Sequence, residues 1–207
     1  HDALPILVFS ILCCAWQVPN ALWGIYGQDQ FGWDTRTVGL NFACFGLLHA
    51  LSQAFLTGRL SARFGDRGAL MIALIVDAAA YMTMATISRG WMAFALCIPM
   101  AIGSIAVPAL QSLLSKQVDE GQQGELQGTL VSIESLASVV GPLLVVTLYA
   151  ATKTTTPGVS WLACAGIYLL CIPIFWRGRR SGSESSQDPA AAVEYQPCGP
   201  AADEGLR

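Results

Sequence analysis

Apolar residues fill six long runs of the chain, and the polar residues fall between those runs or at helical intervals inside them. A helix crosses a bilayer core with about 20 apolar residues. The runs at 4–24, 38–57, 69–87, 91–114, 126–150 and 159–176 reach that length, so the pattern predicts six spans. Short connections between them predict a packed bundle. Glycine and arginine gather in 58–68, and 115–125 is polar, so both segments read as loops.

The polar positions inside the runs form stripes. Gln17, Asn20 and Gly24 share one helix face, as do Asn41, Phe45, His49 and Gln53. Ser104, Pro108, Gln111 and Ser115 repeat the spacing, and Glu134, Ser138 and Gly141 follow it again. A single serine or asparagine serves well enough as a hydrogen bond between helices. Four stripes together predict a bundle around a wet cavity. Gln17, Asn20, Asn41, Gln53 and Gln111 would then offer neutral donors and acceptors to an oxygen-rich ligand. Gly141 and Pro142 together predict a helix break at mid-span.

Three ionisable residues lie deep in the runs: His49, Asp77 and Glu134. A charge at the bilayer centre costs roughly 2.5–3.5 kcal/mol on insertion scales, so each is expected to face a partner or a polar path. A carboxylate in a partly dry cavity suits exchange of a proton for a cation. Desolvation favours its acid form, and an arriving cation favours its charged form. Tyr81, one turn beyond Asp77, is placed to donate to that carboxylate. Histidine is the residue type that passes protons near neutral pH, which makes His49 a candidate partner of Asp77.

Composition strengthens the membrane reading. The chain is 54% hydrophobic and 12% charged, against about 25% charged in soluble domains, and its mean hydropathy is +0.52. The net charge of -3 comes largely from 181–207, a stretch rich in Ser, Gly, Pro, Ala and acids that predicts a disordered tail. The first run lacks a basic leader and a small-residue cleavage site, so it reads as a span rather than a signal peptide. A chain opening on His1 so close to a span reads as a piece of something longer. Seven cysteines without a CxxC or a His-Cys cluster predict neither a disulfide framework nor a zinc site.

Orientation follows from the cations. Arg59, Arg63, Arg67, Lys116, Arg177, Arg179 and Arg180 lie on one side of the six spans, and Arg36, Arg89 and Lys153 on the other. The basic side is expected to be cytoplasmic, with both ends of the chain there.

The loop GRLSARFGDR, from Gly58 to Arg67, resembles the inner-loop signature of the major facilitator superfamily. Gly58 would let helix ends approach, Gly65 would permit a tight turn, and Arg63 and Arg67 would hold the loop inside, with Asp66 pairing one arginine. Ala62 stands where the strongest form of the pattern has an acid. QVPNALW, FGWDTRTVG, FGLLHALSQAFLTG, RGWMAF, PALQSLLSKQVDE, GELQGTL and VGPLL follow in order. Together they are similar to the C-terminal half of the bacterial tetracycline/proton antiporters, over about residues 3–178.

The resemblance implies an all-α integral membrane protein, with six transmembrane helices at 1–180 forming half of a twelve-helix fold and a cytoplasmic tail at 181–207. It implies export of tetracycline, chelated to a divalent cation such as magnesium, in exchange for a proton across the bacterial inner membrane. Asp77 and His49 stand at the family's proton-coupling positions, and Glu134 adds a carboxylate where a small polar residue is expected. The partners implied are the tetracycline-metal chelate, protons, the lipid bilayer and an N-terminal six-helix half, with no nucleic acid and no permanently bound cofactor. Without that half the chain is expected to be inactive. Another drug/proton exporter of the superfamily and an inert truncated remnant are the alternatives. An enzyme is disfavoured, since no nucleophile elbow, protease aspartate pair or metal triad occurs.

Overall fold

The computed structural model describes residues 3–116 and 118–184, and every regular element among them is helical. Among the described residues, those up to Ile172 form one compact unit and those from Pro173 belong to a second. Helix α1 is Ala3–Phe31, and α2 is Thr35–Leu51. A π-helical turn, Ser52–Leu56, leads directly into α3, Thr57–Met84. Helices α4, Gly90–Gly103, and α5, Ala106–Ser115, share the fourth apolar run. A short 3-10 turn, Glu120–Gln122, precedes α6, Gln123–Thr152, and α7 is Val159–Glu184.

Four of these stretches are long and apolar enough to cross a membrane: Ile6–Phe31, Thr35–Met84, Gly90–Ser115 and Gln123–Thr152. Val159–Pro173 is a shorter apolar helix. The second stretch is 50 residues long, and at about 1.5 Å per residue it would far exceed a bilayer core of about 30 Å if it were straight. It is not straight. Gly65 interrupts the helix at φ 72°, ψ 165°, a left-handed φ that a side chain would strain.

The expected loop at 58–68 is therefore helix on both sides of one glycine. Residues such as Leu60, Ala62 and Arg63 favour helix, and no proline stops it. Gly58 sits in open space, with nothing within 4 Å of where a Cβ would stand; it makes no close approach. Helix α1 likewise passes Gly24, the predicted end, and stops only where Gly32 turns at φ 65°. Asp34 then caps α2 by accepting the Thr37 backbone N–H at 2.9 Å. The Thr37 hydroxyl and that capping bond together hold the Asp34 carboxyl below the usual carboxylate range.

Two further expectations change. Helix α6 runs unbroken through Gly141 and Pro142. Proline's fixed φ fits a helix, so it can cost one backbone hydrogen bond without ending the element. Gly141 instead allows close packing, because a Cβ there would overlap the Gln17 side chain of α1. Helix α7 continues to Glu184, so 181–184 are helical rather than tail; the rest of the expected tail, 185–207, lies outside the described residues.

Helix α1 packs along α6, α3 against α4 and α5, and α2 against α4. Helix α7 joins this core through Trp161, whose ring centroid lies 5.6 Å from Trp23, 5.5 Å from Tyr26 and 6.1 Å from Tyr81. Cys164 donates its thiol to the Ala15 carbonyl of α1 at 3.4 Å. The described cysteines are all free, and Cys13, Cys97, Cys164 and Cys171 are buried. Leu40 and Leu47 of α2, Phe55 of the π turn, and Leu136, Val139 and Leu143 of α6 stand exposed. Contiguous apolar faces of this kind call for a non-aqueous neighbour.

Candidate functional site

Three of the four polar stripes converge with one turn of α1 on a cavity of about 560 Å³. Gln17 comes from α1, His49 from α2, Gln53 from the π turn, Ser104 from the α4–α5 junction, Pro108 from α5, and Glu134 and Ser138 from α6. Cys13, Trp16, Val107 and Ser135 complete the wall. The volume lies within the usual range of small-molecule sites, about 300–1,000 Å³.

Neighbours fix the polar groups. Gln111 donates from Nε2 to Glu134 Oε1 at 3.1 Å, tying α5 to α6. Gln53 donates to the Ser104 carbonyl at 3.4 Å and accepts from the Thr57 hydroxyl at 3.0 Å. The His49 ring lies 6.2 Å from the Trp16 ring and 5.8 Å from the Phe45 ring. Gln17 and Gln53 thus line the cavity, and Gln111 reaches it through Glu134.

Asn20 and Asn41 do not join them. Both line a separate pocket of about 60 Å³, with Trp16, Trp23 and Tyr81. Asn41 is fully buried and accepts from Trp23 Nε1 at 2.5 Å, while its own Nδ2 has no partner. Asn20 spends its amide on the Trp16 carbonyl at 2.9 Å. The helical stripes are real, but Asn20 and Asn41 fall to a second, aromatic-lined space.

Asp77 is the larger departure. It is 1% exposed, and neither carboxylate oxygen has a hydrogen-bond partner. It lies behind Gly103, where an added Cβ would overlap the carboxylate. Its other neighbours are Tyr81 of its own helix and Tyr168 and Cys164 of α7. Tyr81 does not donate to it; the Tyr81 ring packs on Trp161 and Tyr168 instead. His49 faces the cavity and Asp77 does not, so the expected pairing of the two is absent. The cavity carboxylate is Glu134.

The loop motif has its own geometry. Asp66 accepts from Lys116 Nζ at 2.5 Å and from the Ser112 hydroxyl at 2.9 Å. Its partner is thus the lysine after α5, not Arg63 or Arg67, which are exposed. A distant partner wins because Gly65 turns the chain and points the next residue at α5. Lys116 and Ser112 hold the Asp66 carboxyl below its ordinary range. At the opposite ends of α1 and α6, Lys153 Nζ lies 3.7 Å from Asp29 Oδ2, and the Tyr149 hydroxyl donates to the same oxygen at 3.4 Å.

Sequence reasoning missed the part played by Cys13, Trp16, Val107 and Ser135. Trp16 carries the only available signal, since it precedes Gln17 and sits four residues before Asn20. Among the described residues no three His, Cys, Asp or Glu side chains come together as a metal site.

Membrane-length helices wrapped about a polar cavity, with one carboxylate in its wall and another buried behind it, are the architecture of a multi-pass membrane protein. Residues 6–202 match the family model of the Major Facilitator Superfamily, and the chain belongs to that superfamily. It is 46% identical to the class C tetracycline resistance protein of Escherichia coli, over 86% of this chain and 45% of that protein. Against the class G protein of Vibrio anguillarum it is 45% identical, over 82% of this chain and 43% of the relative. The class B protein of Escherichia coli is 39% identical, over 76% and 39%. The chain spans about half the length of these curated relatives or somewhat less.

Proposed function

We propose that this chain is the C-terminal, six-helix half of a tetracycline/proton antiporter of the bacterial inner membrane. Counting the arms on either side of Gly65 separately, and α4 with α5 as one, the helices make six crossings. Loops 58–68 and 115–125 lie on the cytoplasmic face, together with both ends of the chain. The Asp66–Lys116 pair supports placing those two loops on one face.

The observation that carries the proposal is the 46% identity to a tetracycline resistance protein across 179 residues. The cavity supports it chemically. Gln17, Gln53, Gln111 and His49 suit an oxygen-rich ligand, and Glu134 supplies the negative charge that a drug-bound magnesium ion requires. The cation travels as cargo with the drug. Asp77, His49 and Glu134 divide the proton coupling between them: Glu134 meets the cation, His49 shares its cavity, and Asp77 stores a proton behind the wall. The reaction is transport, not catalysis, and the second half of the site is contributed by an N-terminal six-helix half.

The test is acid-driven uptake of magnesium-tetracycline into everted membrane vesicles, using this chain joined to an N-terminal half from a relative. Uptake above vesicles lacking the protein, and none from the unjoined chain, is the expected result. A well-inserted fusion that moves other drugs but not tetracycline would overturn the substrate; one that moves nothing would point to an inert remnant.

A further inference from the structure

The Asp77 seat and the polar cavity meet across a single peptide segment. Gly103 closes α4 and abuts the Asp77 carboxylate so tightly that it has no room for a Cβ. The next residue, Ser104, lines the cavity. Between α4 and α5 the chain narrows from α-helical bonding: the Ile105 N–H reaches the Ile102 carbonyl at 3.2 Å, a three-residue turn. Ser104 Oγ caps the Ala101 carbonyl at 2.7 Å, and the Ser104 carbonyl takes the Gln53 amide at 3.4 Å. The apolar run 91–114 therefore has its weakest helical point where a buried carboxylate and a wet cavity come closest.

We propose that residues 103–105 are the partition through which Asp77 exchanges its proton with the cavity, and that Gly103 is the positioning residue that seats the carboxylate. The coupling role of Asp77 rests on the antiporter reading; the partition itself does not. Among the described residues, Tyr81 on α3 and Tyr168 and Cys164 on α7 are titratable neighbours of Asp77, away from the cavity lining. On the α4–α5 side the contact established with the Asp77 carboxylate is Gly103, and Ser104 beyond it lines the cavity. Water reaching Asp77 from the cavity must pass that backbone, and Gln53 is the side chain that holds it shut.

Carbodiimide labelling of carboxyls from water tests this in the full 207-residue chain in liposomes, with sites and rates read by mass spectrometry. Glu134, which lines the cavity, is the internal reference. In the native chain Asp77 should label far more slowly than Glu134. Gly103→Ala overpacks the seat and should raise the Asp77-to-Glu134 labelling ratio about tenfold. Gln53→Leu releases the Ser104 carbonyl without overpacking and should raise the ratio about threefold. If Gly103→Ala fails to fold, both carboxyls label alike and Gln53→Leu decides. A native Asp77 that labels as fast as Glu134, or a ratio unmoved by Gln53→Leu in a folded chain, overturns the proposal. The drug is absent throughout, so failure of tetracycline uptake bears on the antiporter reading alone.

Discussion

Asp77 and Glu134 are both carboxylates inside apolar helices, yet the fold treats them oppositely. Asp77 is sealed among Gly103, Tyr81 and α7 with both oxygens unbonded. Glu134 stands in a cavity wall with Gln111 on one oxygen. The difference lies in their partners rather than their helices. α3 packs its arm after Gly65 against α4 and α5, whereas α6 meets α1 on one face and leaves another open. The neighbour each acid meets thus decides whether it is sealed or opens onto the cavity.

Removing each acid in turn sharpens the contrast. Asp77→Asn should reduce acid-driven uptake by the fused protein to background while leaving tetracycline binding, read by fluorescence, within about twofold. Robust uptake by this variant would move the coupling role to Glu134. Glu134→Gln should weaken magnesium-tetracycline binding about tenfold, in line with loss of a charged contact worth roughly 1.5–3 kcal/mol. An unchanged dissociation constant would remove Glu134 from the site.

Asp66 offers a third acid, at the edge of the bundle, 10% exposed beside a lysine that is 67% exposed. Asp66→Asn should destabilise the chain by about 1 kcal/mol at neutral pH. Because the folded carboxyl is depressed, its contribution is present above the unfolded value of about 3.9 and lost as pH falls through the folded one. Thermal unfolding in detergent should show native and Asp66→Asn converging below about pH 4; a gap that persists there would mean the aspartate acts through packing. Lys153→Ala, at the loose Asp29 pair, should change stability by less than about 0.5 kcal/mol in the same assay. A larger loss would make that end of α1 and α6 as firmly clasped as the Asp66 end.

Much of this was legible in the residues. Apolar runs located the helices, and polar spacing brought Gln17, His49, Gln53 and Glu134 to one cavity. What periodicity cannot show is which face meets which helix. Asp77 and His49 look like partners because both are lone ionisable groups in neighbouring runs; the fold seats Asp77 behind Gly103 and His49 on the cavity wall. Asn41 follows the same stripe as His49, yet the Trp23 indole claims it. The 58–68 segment has the composition of a loop, and one positive φ at Gly65 suffices to turn the chain while the flanking residues remain helical.

The π turn at Ser52–Leu56 has a consequence for chain length. Thr57 N–H reaches back five residues to the Ser52 carbonyl, so this turn holds one residue more than an α-helix needs. Elsewhere in α2 or α3, loss of one residue would rotate everything beyond it by about 100° and turn its buried face outward. Within 52–56 the same deletion closes the wide turn into an ordinary one and leaves both flanking helices in phase. The bundle thus carries a spare residue beside Gln53, at a place where a change of length need not become a change of face.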